Sequence, residues 1–176
     1  MVKIPMPLTP FHIGPALLLG LIFFKYLDFP TFMLANVIID IEPILVLLLD
    51  LNYPLHGFLH SFLGGTIVGF FLAWIMNKIR DDLSPLLRFF KIEQKSSFKS
   101  ILITSLSGIY IHILLDSMVH MDIKPFYPLD LNPFLSGSTL IWLEIDMLSM
   151  WSFIGGLLIY AIRIFLIRRK LTNWLR

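Results

Sequence analysis

Long apolar runs recur five times along this chain, at about 11–27, 30–49, 55–77, 100–120 and 140–167. An α-helix needs roughly 20 residues to cross a bilayer, and only the first run falls near the lower limit. The second run contains Asp40, Glu42 and Pro43. Proline disfavours helical geometry at the residue before it, so a break is expected near Pro43 that turns Asp40 and Glu42 inward together. A charged stretch, 78–99, separates the third and fourth runs. Within it, Ser84-Pro85 is expected to start a short helix with Leu86, Leu87, Phe89 and Phe90 as its apolar side, an interfacial segment rather than a span. Between the fourth and fifth runs, residues 121–138 form a loop whose prolines, in KPFYPLDLNPFLSGS at 124–138, exclude a long helix. The predicted architecture is all-α: one integral membrane helical bundle over 1–176 with about five transmembrane helices, an interfacial segment at 78–99 and an outer loop at 121–138.

Composition strengthens that class. Of 176 residues, 57% are hydrophobic and 15% charged, and the mean hydropathy is +0.81, too apolar for a soluble surface. No cysteine is present, which removes disulfides and thiolate metal sites. The early apolar run is broken by Pro10, His12 and Pro15 with no small-residue cleavage motif after it, so it is read as a retained helix.

The net charge of +2 matters less than its placement. With five spans, Lys25, Lys78, Arg80, Arg88, Lys91, Lys95, Lys99, Arg163, Arg168, Arg169, Lys170 and Arg176 share one side. Those are twelve of the fourteen basic residues, leaving Lys3 and Lys124 opposite. The positive-inside rule then places the C-terminus in the cytoplasm and the N-terminus outside.

All five histidines sit at the ends of apolar runs, and on this topology all lie toward the outer face. Ionisable groups inside a membrane are costly and usually functional. His12 opens span one, Asp40 and Glu42 lie in the outer half of span two, His56 and His60 open span three, and His112, Asp116 and His120 close span four. His56 and His60, four apart, would share a helix face and hold one metal. His112, Asp116 and His120 make an i, i+4, i+8 stripe about 12 Å long, so His120 can fall short of a shared ion. Six to eight candidates suit one or two ions, a pair lying about 3.5–4 Å apart and bridged by Asp116 or Asp40. Imidazole and carboxylate together fit zinc, iron or manganese. Ser61 is a hydrogen-bond partner without an activating base, Glu144 and Asp146 are solvent charges, and Trp142 and Trp151 are interface anchors.

At these residues the chain resembles the YdjM-type family of membrane-bound metal-dependent hydrolases. The matching pieces are TPFHIG at 9–14, DIEP at 40–43, HGFLHS at 56–61 and HILLD at 112–116, in the family's order. Gly57 stands where that family usually has a basic residue, and Glu42 where a second Asp is common. The resemblance implies a metal-dependent hydrolase but no particular substrate. More distantly, the order of ligands is similar to zinc-dependent phospholipase C, which would make His12, Asp40, His56 or His60, His112 and Asp116 ligands.

The expectation is therefore a metal-dependent hydrolase acting on a lipid-linked or interfacial ester, foremost a phosphoester. Glu42 would be its general base, Lys124 and His120 its substrate contacts, and membrane lipid its environment and candidate substrate. No nucleic-acid partner is expected, and the oligomeric state stays open. The alternatives are a divalent-metal or proton transporter, which would need a polar path through Thr104, Ser105 and Ser107, and a non-catalytic metal-stabilised scaffold.

Overall fold

The structure, a computed structural model, describes residues 10–138 and 140–174, with side chains for 13–138 and 140–169. Among the described residues six α-helices follow one another: α1 (Pro10–Ile22), α2 (Phe29–Ala35), α3 (Ile41–Leu48), α4 (Phe62–Phe89), α5 (Phe98–Ser117) and α6 (Ile141–Trp174). Single 3-10 turns occupy Ile38–Asp40 and Phe58–His60, and no strand occurs among the described residues. Among the described residues four stretches are long and apolar enough to cross a membrane: Phe29–Leu48, Phe62–Phe89, Phe98–Ser117 and Ile141–Arg169. A shorter apolar helix, Ile13–Ile22, packs beside α6. The chain is a helical membrane bundle, with large apolar side chains such as Phe71, Trp74, Leu158 and Phe165 exposed on its outer faces. Lipid in place of water makes such a surface favourable.

Two helix boundaries depart from the sequence reading. The break in the second span lies at 36–40, not at Pro43. Asn36 ends α2 by turning its side-chain amide back to the Phe32 carbonyl, and Glu42 and Pro43 then sit in the first turn of α3. A proline is tolerated there because first-turn N–H groups have no intrahelical acceptor. The separate interfacial helix at 78–99 is also absent: α4 runs unbroken from Phe62 to Phe89 with Pro85 near its end. Its charged last turns lie at the rim, where Arg88 pairs with Glu93 at 3.0 Å.

The core lies between α2, α4 and α5, where Ala35, Ile39, Ala73, Met76, Ile109 and Ile113 are fully buried. Gly108 sets the approach of α2 to α5. A Cβ there would come within 2.6 Å of the Ala35 Cβ and 3.0 Å of Asn36 Nδ2. This close contact brings the broken end of α2 against the turn of α5 that carries His112.

The basic end of the bundle has its own buried anchor. Asp28 caps α2 through the Thr31 N–H and accepts from Arg80 at 2.6 Å and Ser96 at 2.7 Å. Its own N–H donates to Thr104 Oγ1 at 3.0 Å, while Ser105 Oγ donates to the Gly69 carbonyl at 2.9 Å. Asp28→Ala strands the Arg80 guanidinium and should cost about 3–5 kcal/mol. Thermal unfolding in detergent, wild type beside the variant, reads that loss.

Candidate metal centre

α4 and α5 run antiparallel, so the start of one and the end of the other meet at one end of the bundle. His112 and Asp116 stand one turn apart near the end of α5. Asp40 closes the first 3-10 turn and His60 the second. One donor atom from each of these four residues lies within 4.8 Å of the others. All four side chains are at most 10% exposed.

The tautomers follow from the partners. His112 Nδ1 is 2.7 Å from the Asn36 carbonyl, which can only accept, so Nδ1 carries the hydrogen. Its Nε2 then faces Asp40 Oδ1 at 3.3 Å and Asp116 Oδ2 at 3.2 Å. His60 Nδ1 is 2.8 Å from Glu42 Oε2. Its Nε2 is 3.9 Å from Asp40 Oδ1 and 3.8 Å from Asp116 Oδ2, and has no hydrogen-bond partner among the described residues. Metal-binding imidazoles usually donate their second N–H to a carboxylate or carbonyl, and both rings do so here. Ligand atoms around a tetrahedral ion with bonds of 2.0–2.2 Å stand about 3.3–3.6 Å apart, within the range found. Three carboxylates around two imidazoles also leave negative charge that a divalent cation or imidazole protons must balance. Burial pushes the His60 imidazole down, but the Asp40 and Glu42 carboxylates outweigh it and hold it above its ordinary value.

Glu42, expected as the base, is instead placed behind His60. Its carboxylate accepts from the Gly57 and Leu59 N–H groups at 3.0 Å, from the His60 N–H at 3.2 Å and from His60 Nδ1. Four donors on two oxygens make it a clamp on the segment 57–60. Gly57 fits because a Cβ would run into the Tyr53 ring, whose hydroxyl accepts from the Phe58 N–H at 2.9 Å. Nor do His56 and His60 share a helix face. His56 precedes the 3-10 turn, α4 begins only at Phe62, and Ser61 caps it by accepting from the Gly64 N–H.

His56 joins a second group, with His120 and Asp122. Its Nδ1 is 3.0 Å from Asp122 Oδ1, and its N–H donates to Asp122 Oδ2 at 3.1 Å. The His120 ring lies 4.0 Å from the His56 ring and edge-on to Trp142 at 4.8 Å. The helical stripe expected to carry His120 stops early, since α5 ends at Ser117 and His120 lies on the following turn. Burial, and then the neighbouring His56 ring, push the His120 imidazole down to about 4. Burial would raise Asp122, but the His56 ring and N–H more than offset it and hold the carboxyl at about 2. The two groups adjoin through an edge contact of His56 on His60 at 4.8 Å.

Lys124, expected at the substrate, pairs with Asp130 at 3.1 Å on the exposed loop. The loop itself folds over this end of the bundle. The Phe62 N–H donates to the Pro125 carbonyl, Asn132 Nδ2 to the Ser117 carbonyl, and Phe126 and Phe134 pack against the Phe62 ring. The side chain of His12 lies outside the described residues. Asn36 and Asp122 were not singled out by sequence. Asn36 acts through its backbone carbonyl, which no pattern reveals, whereas Asp122, two residues after His120, was visible as part of an H-x-D.

No curated protein and no solved structure gives a match to this chain. A family model does, over residues 8–174, and that span contains both clusters and all six helices. The chain belongs to the YdjM inner membrane protein family.

Proposed function

We propose that this chain is a membrane-embedded metal-dependent hydrolase that cleaves a lipid-linked or interfacial ester, with a phosphoester as the preferred substrate. One observation carries the reading. Two buried imidazoles, each with Nδ1 held by an acceptor, turn their Nε2 atoms toward the same two carboxylates. Asp40, His60, His112 and Asp116 would hold the ion. Zinc suits the donor set, as do manganese and iron, and a bound ion of this kind lowers the pKa of coordinated water toward about 7, supplying hydroxide at neutral pH. Glu42 and the Asn36 carbonyl keep both rings in the ligating tautomer, and Ile39 and Ile113, the chain neighbours of Asp40 and His112, are fully buried in the apolar core. Strong electrostatic stabilisation of charge on an ester oxygen follows from such a dry wall.

The positive-inside rule puts the Arg80 end in the cytoplasm and the His/Asp end in the outer half of the membrane. Transport is less well supported, because Thr104 and Ser105 are committed to Asp28 and Gly69 and the core beyond them is apolar. Detergent-purified, zinc-loaded protein should hydrolyse one or more members of a panel of phospholipids, phosphodiesters and carboxylesters. His112→Ala should abolish that turnover. Inactivity of fully loaded wild type across the whole panel would refute the hydrolase reading.

A further inference from the structure

We infer that His56, His120 and Asp122 form a second divalent-metal site, open to water on one side, next to the closed four-residue centre. The inference rests on the metal-binding part of the function proposed above and adds residues to it. Three donors, one from each residue, lie within 4.8 Å of one another. They come from different parts of the chain: the segment before the second 3-10 turn, and the turn that follows α5. Both imidazoles are buried, at 4% and 8% exposure, and their rings lie 4.0 Å apart. Two imidazoles brought together beside a carboxylate is an arrangement that zinc and its neighbours reward and apolar packing does not.

The two groups differ in one respect that bears on function. The Asp122 side chain is 39% exposed, against at most 10% in the first group. Three protein ligands with an exposed side leave a position for water or substrate, and the outer group has that form. The outer donors are also pre-positioned. The His56 N–H fixes Asp122, the His120 N–H donates to the Asp116 carbonyl at 2.8 Å, and Trp142 closes over the His120 ring. The outer ion would thus sit beside the inner one and offer a further open position to water or an ester oxygen.

The competing explanation is an ordinary hydrogen bond from His56 Nδ1 to Asp122. Asp122→Asn separates the two, since it keeps an acceptor for the imidazole but weakens a metal ligand. Full-length protein in detergent would be loaded with zinc, dialysed and analysed for metal, with helicity checked by circular dichroism. Cobalt loading, read by visible absorption, gives a second count. Wild type should hold about two ions per chain, and His120→Ala and Asp122→Asn about one each. About one ion in wild type, or two retained in both variants, would overturn the second site alone. No ion in wild type would overturn the metal reading as a whole.

Discussion

Glu42→Ala is expected to destabilise the chain by on the order of 3–5 kcal/mol and to abolish tight metal binding. The reason is local. The carboxylate takes up three backbone N–H groups and one imidazole N–H in a buried setting, and Ala leaves all four donors without it. The segment 57–60 would then lose the contact that fixes its 3-10 turn, and His60 would lose the contact that fixes its tautomer. Glu42→Gln should be milder in stability yet still poor in metal affinity, because its amide NH₂ must face a backbone donor on one side. Thermal unfolding followed by circular dichroism, together with zinc titration, reads both. Wild-type stability and wild-type affinity in Glu42→Ala would show that the clamp does nothing.

Removal of metal is expected to produce the other large effect. A ligand at about 1,000 times its Kd stabilises the folded state by about 4 kcal/mol. For a chain of this size that corresponds to roughly 8–16 °C in Tm. Chelation of zinc-loaded wild type should therefore lower Tm by about that amount, and readdition of zinc should restore it. In His112→Ala the chelator should change Tm far less, because a principal ligand has already gone. An unaltered Tm on chelation of protein known to contain zinc would argue that the ion does not bind at the junction of helix ends.

Much of this was open to a reading of the residues. The span-length apolar runs carry the helices, and the polar residues that interrupt them carry Asp40, His60, His112 and Asp116. What the pattern could not supply was the ends of helices. The 3-10 turn at 38–40 exists because the Asn36 carbonyl is committed to His112 on another helix, a tertiary contact that overrides the local signal of Pro43. His56 and His60, spaced as a helical pair, meet instead through a turn held by Glu42. The spacing suggested one shared ion, whereas the two rings touch edge-on at 4.8 Å and belong to different groups of donors. The same limit applies to Pro85: a proline in a charged stretch reads as a helix start, yet the exposed last turns of α4 continue through it. Asp122 was within reach of the sequence, but its role depends on a loop that doubles back to His56.

The proposed ligation of an ion by Asp40, His60, His112 and Asp116 is tested most directly by X-ray absorption at the zinc edge, on zinc-loaded, detergent-solubilised wild type beside His112→Ala. Wild type should show a first shell of nitrogen and oxygen at about 2.0–2.1 Å with outer scattering from imidazole rings. Scaled to the zinc bound per chain, that imidazole contribution should shrink in His112→Ala. A spectrum without imidazole scattering, or equal imidazole scattering per chain in the two proteins, would contradict ligation of the ion by this cluster.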